Sequence, residues 1–255
     1  MKITFLGTGT SQGMPVVGCA CAVCASSNPK DNRLRCSILI EDQGKNFIVD
    51  TGPDFRQQLL QLQITDVEAV LMTHEHMDHI SGLDDVRPFN FRHKKDIPVY
   101  ATERVQKALK RVYKYIFEPN PYPGIPKIEL HTISKAADFS IGATTFMPIE
   151  VMHHKMPVLG FRVNDFTYIT DAKTITDEEK EKIKGTKVLV LNALRIKEHL
   201  SHLHLEEAVE WVSELQPERA YFTHCSHLLG LHEDINRELP DHIQLAYDGL
   251  QIELK

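Results

Sequence analysis

Residues 74–79 read His-Glu-His-Met-Asp-His, an H-x-H-x-D-H run with three imidazoles and the Asp78 carboxylate in one short stretch. Imidazole and carboxylate together suit a borderline divalent ion such as zinc or manganese. His74 and His76 are two residues apart, so on an extended loop they point the same way and can grip one ion. Asp78 and His79 begin the next turn and face a second ion beside it. One ion takes three or four protein ligands. The run therefore nearly fills one site and opens another, and a two-ion centre needs further ligands, including a carboxylate to bridge the pair.

The elements that must supply those ligands are legible as strands. The run follows Val67-Glu68-Ala69-Val70-Leu71-Met72-Thr73, a buried strand by its composition, so the ligands sit at the strand's carboxyl end. His153 and His154 follow a strand at 145–152, Asp171 one at 166–170, and His224 one at 220–223. Further strands are expected at 2–6, 37–41, 45–49, 99–101, 187–192 and 244–246, alternating with helices over 54–62, 103–117, 177–184 and 205–215. That alternation predicts an α/β fold, and 255 residues suit a single domain spanning 1–255.

A second metal site is written in the cysteines. Cys19, Cys21 and Cys24 form a C-x-C-x-x-C knuckle whose thiolates fit a tetrahedral zinc with one ligand still required. His227, three residues beyond His224, is the candidate for the fourth position, with Cys225 as its rival. A disulfide among the three is the competing reading. Cys36 reads as a buried small apolar residue.

Taken in order, Ile48-Val49-Asp50-Thr51-Gly52, the H-x-H-x-D-H run, His154, Asp171 and His224 resemble the metallo-β-lactamase superfamily over essentially the whole chain. The resemblance implies a four-layer αββα sandwich. It implies one ion held by His74, His76 and His154, a second held by Asp78, His79 and His224, and Asp171 bridging them. Asp50 would orient those ligands. His154 is preferred to its rival His153 for its spacing to Gly160. The knuckle, following Leu6-Gly7-Thr8-Gly9-Thr10, narrows the resemblance to the phosphoribosyl 1,2-cyclic phosphate phosphodiesterases of the carbon–phosphorus lyase pathway. These are cytoplasmic-type enzymes with a structural zinc apart from two catalytic ions, manganese or zinc.

The activity so implied is opening of a small cyclic phosphodiester. A hydroxide shared by the two ions attacks phosphorus, Asp78 belongs to the catalytic group, and His202 protonates the departing oxygen. His204 is the alternative acid and His199 reads as a surface histidine. Rival activities on the same ligands are ribonuclease Z-like cleavage of transfer-RNA 3′ ends and thioester hydrolysis of the glyoxalase II type. A zinc-binding domain without catalysis ranks last.

Charge and hydropathy narrow the partners. A net charge of −6 gives no global basic field to draw in a polyanion, so a small-molecule phosphodiester is expected rather than nucleic acid. The basic run 107–114 reads as the solvated face of a helix with Leu109, Val112 and Ile116 inward. No apolar run approaches the roughly 20 residues that span a bilayer, and the first strand is too short for a signal peptide. A cytoplasmic location and no membrane contact are expected, and a homodimer built on the knuckle is open. Gly7-Thr8-Gly9 lacks the ending of a nucleotide-binding P-loop and is expected to bring backbone near the metal centre. The proline-rich run 119–126 is a stiff extended connector.

Overall fold

The computed structural model describes residues 1–119 and 122–254, so 120 and 121 of the proline-rich run lie outside the described residues. The first part of the chain forms β1 (Lys2–Gly7), β2 (Ser37–Asp42), β3 (Lys45–Val49), α1 (Phe55–Gln61), β4 (Ala69–Leu71), α2 (Met77–Ile80), α3 (Arg87–His93), β5 (Ile97–Ala101), α4 (Glu103–Val112) and β6 (Ile128–Thr132). The remainder forms β7 (Phe139–Ile141), β8 (Thr144–His153), β9 (Met156–Val163), β10 (Phe166–Tyr168), β11 (Thr174–Ile175), α5 (Asp177–Ile183) and β12 (Val188–Asn192). It closes with α6 (Leu205–Leu215), β13 (Arg219–Thr223), α7 (His232–Glu238), β14 (Ile243–Leu245) and β15 (Gln251–Glu253).

These strands make two mixed sheets. One has the order β15-β1-β2-β3-β4-β5-β6, the other β11-β8-β9-β10-β12-β13-β14 with β7 added on β8. The strands β3 to β6 of the first sheet are parallel, as are β10, β12, β13 and β14 of the second. Parallel strands bring their carboxyl ends to one edge, where ligand sites of α/β proteins form.

The period-two alternation of strand side chains sorts the apolar residues into three clusters. Phe47 and Val49 of β3 meet Phe146, Phe161 and Val190 between the sheets. Ile48, one residue out of phase, packs outward with Leu59 of α1 and Val105 and Leu109 of α4. On the other sheet Leu189 and Leu191 face Ile183 of α5, Ala208 and Val212 of α6, and Ile235 of α7. Helices therefore cover the outer face of each sheet, which is the four-layer αββα arrangement of the metallo-β-lactamase fold. Among the described residues no helix is long and apolar enough to cross a membrane.

Helix boundaries follow local chemistry. Thr102 caps α4 by accepting from the Val105 amide at 3.3 Å, and Thr176 caps α5 in the same way on Glu179. The helix expected over 103–117 stops at Val112. Its next residue, Tyr113, donates its hydroxyl to Ile80 O at 2.7 Å and accepts from the Leu83 amide at 3.2 Å. That buried anchorage diverts the chain into a short 3-10 turn, Lys114–Ile116, and leaves Val112, expected inward, 37% exposed.

The turn after β3 is locked to α2 by backbone contact. Thr51 N donates to His79 O and Gly82 N to Thr51 O, both at 2.7 Å. A Cβ on Gly52 would lie 2.1 Å from Asp78 O, and one on Gly82 the same distance from Gly52 O. Neither glycine has a positive φ, so space alone demands them. Gly82→Ala must force the turn and α2 apart. It should cost about 1–3 kcal/mol, lowering Tm in a melting experiment by roughly 2–4 °C per kcal/mol. An unchanged Tm would show that the two backbones separate freely.

Candidate active site

Three of the residues singled out from sequence sit just past parallel strands in the left-handed backbone region: Asp50 at φ 64°, Asp171 at 57° and His224 at 55°. For residues with a Cβ this conformation costs on the order of 1–2 kcal/mol each. It turns the chain sharply out of the strand and swings the side chain across the sheet edge. Strained backbone of this kind collects where function requires it. Here the three left-handed residues converge on one place.

The convergence is close. Ligand atoms of His74, His79 and Asp171 lie within 4.8 Å of one another, as do those of Asp78, His79 and His224, and those of His153, Asp171 and His202. His79 Nε2 is 3.3 Å from Asp78 Oδ2 and 3.3 Å from Asp171 Oδ2, while His224 Nε2 is 3.3 Å from Asp171 Oδ1. Asp171 thus stands in the middle, a member of two of the three groups and 3.3 Å from both histidines of the third. His76 is the outlying member, solvent-exposed, with its ring 4.7 Å from that of His74 and 5.1 Å from that of His153.

Hydrogen bonds aim the rings. The Thr73 amide and hydroxyl both donate to Asp50 at 2.8 Å. Having given its proton to Asp50, the Thr73 oxygen accepts from His74 Nδ1 at 2.9 Å. His79 Nδ1 donates to Asp50 Oδ2 at 2.7 Å, and His153 Nδ1 donates to the Ser201 carbonyl at 2.8 Å. In each case Nδ1 carries the proton, and Nε2 presents its lone pair to the centre. This is the outer support that orients metal-bound imidazoles.

The inner atoms have no protein partner. His74 Nε2, His79 Nε2, His202 Nδ1 and both nitrogens of His224 are buried without a hydrogen bond. Such atoms are costly unless something binds them. Charge points the same way. Burial works against a charge on His79, yet the carboxylates of Asp171, Asp50 and Asp78 outweigh it and hold the group well above the ordinary histidine range, so a proton on Nε2 competes with a cation for this negative pocket. Burial would likewise push Asp171 up, but His224 and His79 hold it well below the carboxylate range. Unpartnered lone pairs around buried carboxylates fit divalent cations.

One expected ligand changes place. Strand β8 runs one residue further than expected and ends at His153, which pairs with Met156 of β9. His154 then falls on the turn, exposed, at φ 57°. The residue facing the centre is His153, with its ring 4.3 Å from that of His202 and 5.1 Å from that of His76. A one-residue shift on a strand reverses the face a side chain takes, so spacing to Gly160 picks the histidine that the structure turns away from the cluster.

The three histidines near α6 also separate. His202 is buried, its Nδ1 3.6 Å from Asp171 Oδ1 and its ring stacked 4.9 Å from His224. Burial pushes it down to about 3, against the pull of Asp171. His204 lies at the N-cap of α6, its Nδ1 2.7 Å from Glu207, so its partner is the helix and not the centre. His199 is half-buried beside His202, at 5.1 Å between rings.

The cysteine knuckle and His227 form a separate cluster. His227 Nδ1 lies 3.3, 3.4 and 3.5 Å from the sulfurs of Cys19, Cys21 and Cys24. Tetrahedral Zn–S and Zn–N bonds imply edges of about 3.5 Å between such atoms, so the set fits zinc. All three thiols are free, which removes the disulfide reading. Cys225, the rival ligand, is buried elsewhere with its sulfur near Phe222 O. Cys36 is buried as expected, beside Thr223.

Sequence inspection missed the supporting residues: Thr73, the Ser201 carbonyl, Thr170, which donates to Asp171 Oδ2 at 2.7 Å, and Asn192. Asn192 at the end of β12 accepts from the Ala172 amide and donates to its carbonyl at 2.7 and 3.0 Å, holding the turn behind Asp171. An asparagine closing a wholly apolar strand is the signal that could have found it.

Comparison with known proteins sets this site in context. Residues 45–225 match the family model for the beta-lactamase superfamily domain. The crystal structure of a diphosphatase from the PhnP family is 41% identical, with a TM-score of 0.93 over 100% of this chain and 98% of that one. An octanoyltransferase of Porphyromonas gingivalis is 40% identical over 253 residues, covering 98% of this chain and 51% of that protein. The chain thus spans about half the length of that curated relative. Human short-form tRNase Z, 17% identical with a TM-score of 0.72 and full coverage of both chains, shares the fold.

The hairpin register makes a direct prediction. His153→Ala should lower bound metal by about one equivalent per chain, one ion needing three or four ligands, whereas His154→Ala should leave it unchanged. Elemental analysis of both purified variants checks this, and the reverse outcome would restore His154.

Proposed function

The chain belongs to the beta-lactamase superfamily, and from that premise we propose that it is a dinuclear metal-dependent phosphodiesterase that opens a small cyclic phosphodiester of the phosphoribosyl 1,2-cyclic phosphate type. The observation that carries this reading is the ring of buried, unpartnered imidazole nitrogens around Asp171, with His202 at its shoulder.

In this reading His74, His76 and His153 hold one ion, Asp78, His79 and His224 the other, and Asp171 serves both. Manganese and zinc both suit the donor set. Two such ions supply Lewis acidity at phosphorus and lower the pKa of bound water. The chain's own part is orientation, water exclusion and proton delivery. Asp50 and Ser201 fix the ring tautomers. His202, wedged between His153 and His224, would deliver the proton that the departing alkoxide needs once a bound anionic phosphate draws it up from the low value that burial imposes. A phosphodiester gives His202 work that a thioester would not, since a thiolate leaves readily without an acid. Cys19, Cys21, Cys24 and His227 hold a structural zinc, and residues 1–255 act as one domain with the knuckle as its insertion.

The diphosphatase relative supports chemistry at phosphorus and makes a diphosphate the competing substrate. The deciding assay offers purified, metal-analysed protein a five-membered ribose cyclic phosphate, a diphosphate diester, a thioester and a precursor transfer RNA. Selective opening of the cyclic phosphate is expected. Turnover of another member of the panel without it would overturn the substrate and keep the site.

The acid has its own test. His202→Ala should lower kcat about 10²–10⁴-fold on an alkoxide ester, much less on a nitrophenyl ester, with metal content unchanged. Loss of metal would instead make His202 a ligand.

A further inference from the structure

Of the buried histidines read as ligands, His224 is the one whose ring has no support of its own. Nδ1 of His74 and of His79 is bonded to Thr73 and to Asp50 respectively. Both nitrogens of His224 are buried with no hydrogen-bond partner among the described residues. Its ring therefore takes its place from the backbone that carries it, which is left-handed at φ 55°. That backbone is clamped one residue further on. The Cys225 amide donates to Thr8 O at 3.0 Å, and Cys225 O accepts from the Thr10 amide at 3.1 Å. Where Thr8 sits thus bears on where His224 points.

Thr8 is held in turn by a polar junction to which the proposed chemistry gives no part. Asp248, in the turn after β14, accepts from the Thr8 hydroxyl on Oδ1 at 2.7 Å and from the Leu34 amide on Oδ2 at 2.6 Å. Arg33 donates from Nη1 to the same hydroxyl oxygen at 2.8 Å and also to Ala246 O. Thr8 and Arg33 are both buried. The Thr8 hydroxyl gives its one proton to Asp248 and accepts one from Arg33, which leaves it a single orientation. A backbone bond from Gly9 N to Leu34 O at 2.7 Å closes the junction. Buried polar groups that satisfy one another fix a geometry, because a shift leaves one of them unpaired.

We propose that Asp248 and Arg33 are positioning residues for His224. Acting through the hydroxyl and carbonyl of Thr8, they hold Cys225, and with it the imidazole that joins Asp78 and His79 at one ion. The cluster then has two outer supports: Asp50 for His74 and His79, and the Asp248–Thr8–Arg33 junction for His224. This inference rests on the dinuclear reading of the cluster and adds to it residues that touch neither metal nor substrate.

The test is a cycle of Asp248→Ala and His224→Ala in full-chain protein loaded with manganese, challenged with graded chelator and followed by elemental analysis. Removing an outer support of a metal ligand weakens binding about 10–100-fold, so Asp248→Ala should release one of the two cluster ions at correspondingly lower chelator. The other cluster ion and the knuckle zinc should leave as in the wild type. In the His224→Ala background Asp248→Ala should add nothing, since both act through one side chain. Thr8→Val, which keeps the shape and removes the hydroxyl, should copy Asp248→Ala, and Thr8→Ser should restore wild-type retention. These two variants carry the test if Asp248→Ala does not fold. Unchanged retention, additive losses in the cycle, or equal weakening at the knuckle would each overturn the proposal and make Asp248 merely structural. If the wild type holds fewer than two cluster ions, the dinuclear reading fails. Imidazole NMR of the unloaded protein then judges the positioning. Thr8→Val should shift the His224 ring resonances and spare those of His74 and His79, and unmoved His224 resonances would overturn it.

Discussion

A single buried carboxylate holds the centre in register. Asp50 is fully enclosed, and burial pushes its carboxyl up while His79 and the Thr73 bonds pull it back. Through Thr73 it sets the ring of His74, and directly it sets the ring of His79. One residue at the end of β3 thereby fixes a histidine at the end of β4 and another on α2. The close seating of α2 on Gly52 serves the same end, since it brings His79 within reach of Asp50 without room for drift. An isolated buried charge would be destabilising. This one is tolerated because every donor it meets is also needed to aim a ligand.

The second sheet supplies the other half by a different device. Asp171 and His224 each leave a parallel strand in left-handed backbone, and Asn192 braces the first of these turns. The segment 223–227 does three things in sequence. His224 enters the centre, Cys225 bonds in both directions to the Thr8–Thr10 loop at 3.0 and 3.1 Å, and His227 reaches the cysteine knuckle. The knuckle stands away from the chemistry but anchors the far end of that segment. Its cohesion therefore bears on where His224 sits. The Gly7-Thr8-Gly9 turn lies against this segment, with the Thr8 carbonyl and the Thr10 amide bonded to Cys225.

Much of this clustering was legible in the order of residues, because rare imidazole and carboxylate side chains stand at the ends of apolar strands. Asp78, His79, Asp171 and His224 announce themselves in that way, and so does the knuckle with its distant histidine. What sequence could not settle was one residue of register. His153 and His154 are chemically identical, and only the two-residue turn of the β8–β9 hairpin decides which points inward. The end of α4 was hidden for a related reason. Helical periodicity continues past Val112, but a tertiary contact of the Tyr113 hydroxyl overrides it. The supports were quieter still, since threonine, asparagine and a backbone carbonyl carry no chemistry of their own until the fold sets them beside a ligand.

On the proposed reading, an acidic protein that handles anionic phosphates must attract them locally. At physiological ionic strength charges are screened beyond about 8 Å, so the overall charge of −6 matters less than the cations within reach of the site. The loop from His74 to His76 turns alternate side chains to opposite faces. Its even-numbered side chains face the Asp171 cluster, and its odd one, Glu75, faces a cleft along α4. Pairing Glu75 with Arg104 offsets a negative charge one residue away from His74 and His76. It also ties α4 to the loop mechanically, since a shift of the helix would be felt one residue away from His74 and His76.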